Sequence, residues 1–282
     1  MKTRALAMMG LVLGILAACG GSGNGVATGG TQSGPDGGST GGGTGGGTDG
    51  GPGGGADGGS PNVGAEAGIA KGMVLDTRGS PLRGAEVKLC EFPAVSFCAS
   101  QNTGADGRYS LVLSPGRGWS LYGYVRPQYN GRNYCLELQA DTSGVFTSAT
   151  GVIRNFQWNL VGLKPDASDR SNPYSYYGVY LEVIADDIAV PINPVEITGV
   201  PQGPLVDGST GQTFTVSTGT GGGVFNIPLG RYLITAAYAP PGGPKSPLKI
   251  RTSSGTLGSS AVVDFEDQQC ILQPKAQVWV AP

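Results

Sequence analysis

From residue 68 onward the chain is built of short apolar runs with a period of two, cut at close intervals by Gly and Pro. Tyr109, Leu111 and Leu113 fall on one face of an extended run, as do Trp119, Leu121, Gly123 and Val125, and again Tyr232, Ile234, Ala236 and Tyr238. A period of two is what a strand with one buried face requires, and no segment of this region carries the 3.6-residue period of a helix. Further strands are predicted at 73–75, 85–89, 179–184 and 195–200, with turns at 76–79 and at Asp106-Gly107. Gly79 and Gly84 suit turn positions of positive φ. Strands of this kind must pair and bury alternate side chains, so the fold class is all-β, with sheets packed as sandwiches.

The first 67 residues obey different physics. Of residues 20–60, 22 of 41 are glycine, and Ser, Thr, Asp and Pro fill most of the rest. Such a tract has little apolar surface to offset the entropy of ordering it, so it is expected to be a flexible tether. Its typical end-to-end distance is about 35 Å and its extended limit about 140 Å. The G-x-G spacings inside it lack the flanking strand and helix of a phosphate site. Before the tether, Lys2 and Arg4 precede a 14-residue apolar run, Ala5 to Ala18, ending in Leu16-Ala17-Ala18-Cys19. That run is short of the roughly 20 residues a membrane-spanning helix needs. The pattern resembles a bacterial lipoprotein signal peptide with its lipobox. The resemblance implies removal of residues 1–18, lipid on Cys19, export, and partnership with a membrane through that lipid. Gly20 lacks the aspartate that retains such proteins at the inner membrane of enterobacteria, so in a Gram-negative cell the outer membrane is the expected destination.

The mature chain divides into a lipidated Cys and linker (19–67), a first sandwich (68–163), a turn-rich hinge (164–173) and a second sandwich (174–282). In the first, Gly72, Val74, Gly79, Pro81, Leu82, Gly84, Ala85 and Val87 precede a second block with Asp106, Gly107, Tyr109, Leu111, Pro115 and Gly116. These blocks resemble the carboxypeptidase regulatory-like domain, a prealbumin-like (transthyretin-like) β-sandwich, clearly over 72–125 and less so to residue 163. The resemblance implies a non-catalytic module accompanying enzymes, receptors or surface proteins, and a fold of this kind does not itself define an activity. The second region repeats the logic. Residues 223–230 echo 107–116, residues 246–250 are set against 134–138, and Val263 and Phe265 against the late strand of Phe156, Trp158 and Leu160. The reading is an internal duplication, or two Ig-like or prealbumin-like sandwiches of one class.

Apart from Cys19 there are four cysteines, and an exported chain keeps such thiols oxidised. Three pairings are possible. The favoured one closes Cys90 on Cys98 and leaves Cys135 with Cys270, a bond that would turn a flexible pair of domains into a rigid one. Four free buried thiols are the alternative. No cysteine knuckle of the zinc type occurs.

The chain has no histidine, which removes Ser-His-Asp and Cys-His nucleophiles and the usual catalytic zinc ligands. A formal charge of -2 with 13% charged residues offers no basic field for nucleic acid. Three features remain as candidate sites. Asp186, Asp187, Asp264, Glu266 and Asp267 could serve hydrolysis, but match no calcium loop and read as solvated or edge carboxylates. Ser246 and Lys249 have the spacing of a Ser-Lys pair, yet i and i+3 point to opposite faces of a strand. The third feature is Tyr122, Tyr124, Tyr174, Tyr176 and Tyr177, aromatic surfaces suited to a sugar ring or a protein partner, or else to covering the seam between sandwiches.

The functional expectation is a non-enzymatic, lipid-anchored cell-envelope protein that needs no cofactor or metal and displays β-sandwich modules to a carbohydrate or an envelope protein. An accessory subunit of an envelope enzyme or transport system is the alternative, and a carboxylate-based hydrolase ranks below both.

Overall fold

The computed structural model describes residues 64–93, 97–187, 194–218, 222–270 and 272–282. The signal-like run, Cys19 and the tether up to residue 63 lie outside the described residues. The described part is strand and turn, with one 3-10 turn at Pro173–Ser175. Among the described residues no helix is long and apolar enough to cross a membrane.

The first sandwich opens with β1 (Ile69–Leu75), whose Ala70 and Val74 are fully buried. β2 (Glu86–Phe92), β3 (Cys98–Asn102), β4 (Arg108–Val112) and β5 (Gly118–Val125) follow. The connecting turns place Gly79 and Gly84 at φ of 81° and 78°, a region that disfavours every residue with a Cβ. Short strands complete the domain. β6 (Gln128–Tyr129) and β7 (Arg132–Asn133) form a hairpin, followed by β8 (Leu136–Glu137), β9 (Gln139–Ala140), β10 (Phe146–Thr147), β11 (Val152–Ile153) and β12 (Phe156–Gln157).

One sheet sets β4 antiparallel to β1, which lies parallel to β11 and β12, with β9 beyond β12. The other runs β3, β2, β5, and the far edge of β5 carries β10 at one end and β8 at the other. The inward faces meet as the alternation predicts: Val87 and Leu89 of β2 and Trp119, Leu121 and Val125 of β5 are buried with Tyr109, Phe156 and Trp158. β11 and β12 are one strand interrupted at Arg154 and Asn155. There the Asn155 side chain takes over a ladder bond, accepting from the Met73 N–H at 3.0 Å. The Arg154 carbonyl bulges toward β1 and accepts from the Tyr109 hydroxyl at 2.6 Å. A Cβ on Gly72 would lie 1.9 Å from that oxygen, so the bulge requires glycine.

The second sandwich comprises β13 (Val179–Ala185), β14 (Val195–Pro201), β15 (Phe214–Ser217), β16 (Gly223–Ile227), β17 (Tyr232–Tyr238), β18 (Ser246–Arg251), β19 (Ala261–Val263), β20 (Glu266–Gln268) and β21 (Leu272–Ala281). Its connectivity matches the first. β13 pairs antiparallel with β16 and parallel with β21, as β1 does with β4 and with β11 and β12. β14 lies between β15 and β17, as β2 lies between β3 and β5. β18 changes sheets along its length: Ser246 to Leu248 pair with β17, and Lys249 to Arg251 with β21.

Two sequence equivalences shift. Leu136 opposes Val125 and Ser246 opposes Tyr238, so it is residue 136, and not 134, that corresponds to 246. The counterpart of Phe156 lies in β21, because β21 is the parallel partner of β13 whereas Val263 ends β19 in the opposite sheet. Pro274 falls inside β21, but the ladder to β13 begins only at Lys275, so its missing N–H is not called on there.

The two sandwiches pack along a specific seam within one compact unit. Tyr134 leaves the first and enters the core of the second, where it is 2% exposed and donates to the Phe265 carbonyl at 2.7 Å. The Tyr129 hydroxyl donates to the Pro204 carbonyl at 2.8 Å and accepts from the Arg231 N–H at 3.0 Å. Thr77 donates to Asp207 at 2.6 Å, and the Gly162 N–H donates to the Asn226 side chain at 2.7 Å. Leu136, Leu160 and Val206 pack against both cores. Cys135 is bonded to Cys270 across this seam, and Cys90 to Cys98 within the β2–β3 pair, the pairing favoured from the sequence. In the segment expected as a hinge, the Lys164 N–H donates to the Ser175 carbonyl at 2.8 Å and the Ser175 hydroxyl to the Asp169 carbonyl at 2.5 Å.

Candidate functional site

A strand that gives up its place in a sheet leaves an opening, and the first sandwich does this at β5. Its edge is covered by β10 at Gly118 and Trp119 and by β8 at Tyr124 and Val125. Between these points the chain crosses to the other sheet as β9, against β12. Ser120, Leu121 and Tyr122 are left without a strand on that side. The Gly123 carbonyl accepts from the Leu138 N–H at 2.9 Å, which fixes the direction of its backbone groups. Strand alternation then aims the N–H and C=O of Leu121 the same way. The result is a cleft of ≈ 500 Å³, within the span of small-molecule sites.

The cleft holds Tyr122, on the outer face of β5, and Tyr177, which follows the 3-10 turn. Lys164 lies over the Tyr177 ring at 5.8 Å and pairs with Glu137 at 2.6 Å. Burial, and then the charges of Glu137 and Asp166, push the Tyr177 phenol up. It therefore stays neutral and presents a ring with one polar tip. Arg154, which also lines the cleft, is only 4% exposed. Its Nε donates to the Thr142 hydroxyl at 3.4 Å, its Nη2 to the Gly144 carbonyl at 3.1 Å, and its guanidinium lies 5.3 Å from the Phe146 ring centre. Among the described residues no carboxylate forms an ion pair with it. Burial lowers its pKa, opposed by the Tyr109 phenol and the Asp141 charge. Asp141 accepts from Asn155 Nδ2 at 2.8 Å and from the Thr142 hydroxyl at 3.3 Å.

The five tyrosines singled out in the sequence separate. Tyr122 and Tyr177 share the cleft. Tyr124 is half-buried beside it, with its phenol pushed up by burial and then by Glu137. Tyr176 packs on Phe225 with ring centres 5.1 Å apart, and with Tyr177 it lines a small cavity beside the Cys135 disulfide. Tyr174 is exposed on the surface outside the cleft. Cys19 lies outside the described residues.

Asp186, Asp264 and Asp267 have structural partners. Asp186 accepts from Arg251 Nε at 2.9 Å. Asp264 takes both arms of Arg231, at 2.9 and 2.5 Å, and the hydrogen bonds from Arg231 hold its carboxyl below the usual range. Asp267 accepts from the Cys135 N–H at 2.9 Å. Asp264 and Glu266 line one polar groove with Lys275. Ser246 and Lys249 lie along β18. Among the described residues no group of three or more Cys, Asp or Glu side chains is placed to hold a metal ion.

Arg154, Asp141 and Asp166 were not singled out in the sequence. A signal for Arg154 was present: the alternation of Phe156 and Trp158 carried back two residues lands on it, a charge at an inward position.

By its sheets the chain is a tandem β-sandwich protein. No protein-family model and no curated protein matches it. Among solved structures it is similar to the Bacillus anthracis TIE protein, at 16% identity and a TM-score of 0.30 over 75% of this chain and 34% of that one. It is similar to a streptococcal ancillary pilin at 11% identity and a TM-score of 0.26, over 74% of this chain and 62% of that one. The major pilin subunit of Bacillus cereus gives 10% identity and a TM-score of 0.23, over 76% and 99%. The chain thus spans about a third of the first protein's length and under two thirds of the second's.

Proposed function

We propose that this is a non-enzymatic, lipid-anchored protein of the bacterial cell envelope, which holds its tandem sandwiches away from a membrane and captures carbohydrate in the β5 cleft. The observation that carries the reading is the cleft itself, where two tyrosines meet polar groups of both signs on a strand edge left open. Aromatic faces that stack on sugar rings, ringed by fixed hydrogen-bonding groups, are what such capture needs. Two disulfides fit an oxidising compartment outside the cytoplasm. The lipobox at Cys19 and the glycine tether supply the anchor and the reach.

Glycan-array binding by the full-length chain tests capture. Binding is expected to fall on Tyr122→Ala and Tyr177→Ala and to persist on Tyr174→Ala. An enzyme or transport subunit co-purifying from membranes, with no glycan bound, would favour the accessory role instead. Intact mass of the membrane-extracted protein reads the anchor directly, and an unmodified N-terminus would remove it.

A further inference from the structure

The charges around the cleft narrow what it can hold. Arg154 is a guanidinium with five N–H donors, of which two are engaged, and both acceptors, Thr142 and Gly144, are themselves walls of the cleft. The Arg154 donors that remain are open to the cleft, where a ligand acceptor can take the place of water. Three carboxylates line the same space. Glu137 is paired with Lys164, Asp141 is held by Asn155 and Thr142, and Asp166 is exposed. Lys164, which neutralises Glu137, lies outside that lining, so within it Arg154 faces Asp141 and Asp166.

An anionic ligand drawn to Arg154 is repelled by Asp141 and Asp166, which line the same space, and a cationic one drawn to those acids is repelled by Arg154. A hydroxyl accepts and donates at once, so a pair of adjacent hydroxyls can accept from Arg154 and donate to Asp141 without carrying charge. The open edge of β5 is three residues long, Ser120 to Tyr122, too short to take up an extended peptide as an added strand. It does leave the Leu121 backbone groups for a compact polar ring. We infer that the cleft selects a neutral polyhydroxylated sugar, with adjacent hydroxyls gripped between Arg154 and Asp141 and the ring laid on Tyr122 or Tyr177. The inference rests on the glycan-capture reading and adds to it the ligand's charge and the residues that read it.

The test is an array of neutral hexose and N-acetylhexosamine oligosaccharides beside uronate-terminated, sialate-terminated and free-amine ones, probed with the full-length chain. Neutral glycans are expected to bind and charged ones to fail. Asp141→Asn keeps an oxygen for Asn155, so the loop stays formed, and it should weaken neutral binding by about tenfold. Arg154 also props residues 142–144, and its replacement risks the fold. Asp166→Lys, at an exposed position, supplies the second arm by admitting carboxylated glycans. Equal binding of carboxylated and neutral glycans by the unaltered protein, or indifference of neutral binding to Asp141→Asn, overturns the inference and leaves capture standing. Failure of every glycan to bind overturns both.

Discussion

The two sandwiches follow one strand plan and differ in how completely they execute it. In the second, β18 runs unbroken from one sheet into the other and β21 pairs with β13 over six consecutive residues. The same places in the first are broken. β8 and β9 are separate two-residue strands, and the parallel partner of β1 is cut at Arg154 and Asn155. The first break uncovers the edge of β5, and the second turns a buried arginine toward the opening. The intact sandwich meanwhile encloses the larger core and receives Tyr134 from its neighbour. A cleft and a firm base can therefore be made from one topology, the cleft by interrupting strands and the base by leaving them whole.

If the second sandwich is the base, the bond tying the first to it should matter more than the bond inside the first. The Cys135–Cys270 disulfide closes a loop of sequence separation 135, the Cys90–Cys98 disulfide one of 8. Chain entropy assigns about 5 kcal/mol to the long loop and about 2.5 kcal/mol to the short one. The β2–β3 ladder already holds Cys90 opposite Cys98, so losing that bond is expected to leave the hairpin formed. Urea unfolding of the Cys135→Ser/Cys270→Ser and Cys90→Ser/Cys98→Ser double variants compares them. Equal losses would break the assignment of base and cleft-bearing domain.

The second comparison concerns close approaches. On Gly72 an added Cβ meets the backbone oxygen of Arg154, whereas on Gly199 of β14 it meets the ring edge of Phe214, 2.3 Å away, in a side chain of edge strand β15. A ring at an edge can swing, but a carbonyl fixed by Tyr109 cannot. Gly72→Ala is expected to cost about 2–3 kcal/mol and Gly199→Ala about 1 kcal/mol. Because Gly72 seats the bulge that carries Arg154, its substitution should also reduce ligand binding in the cleft, while Gly199→Ala leaves binding unchanged. A Gly72→Ala protein as stable as its parent would mean that the bulge is pliable and the interruption incidental.

The strands of both sandwiches are legible in the sequence where they alternate over five or more residues, as in Tyr109, Leu111 and Leu113 or in Tyr232 to Tyr238. β21 was harder to read, because its apolar alternation is confined to Ala276, Val278 and Val280 and Pro274 stands near its start. The two-residue strands β8 to β11 carry too few side chains to show a period, and β12 is marked only by Phe156 with Trp158 and Leu160 beyond it. Yet these fragments make the cleft, so its tyrosines could be named from the sequence while Arg154 and Asp141 could not be brought to them. The disulfides were readable from compartment and parity. Tyr134 as a plug was not, because nothing local distinguishes an aromatic that fills its own core from one that fills the next.

The smallest effect lies in the seam, where the first sandwich lends Thr77 to Asp207 of the second. Burial raises the Asp207 carboxyl, but hydrogen bonds from Ser209 and Thr77 outweigh it and hold its pKa below the free value. A depressed folded pKa means stability that is fully present above the unfolded value of about 4 and is lost as pH falls through the folded one. Thr77→Val removes one of the two side-chain donors and should cost about 1 kcal/mol at neutral pH. It should also flatten the loss of stability as the pH falls below about 4, since a carboxylate with fewer donors is less sensitive to protonation. Urea midpoints of parent and variant across that range measure both. An unchanged acid slope in Thr77→Val would show that Ser209 alone holds Asp207, and that this contact couples nothing across the seam.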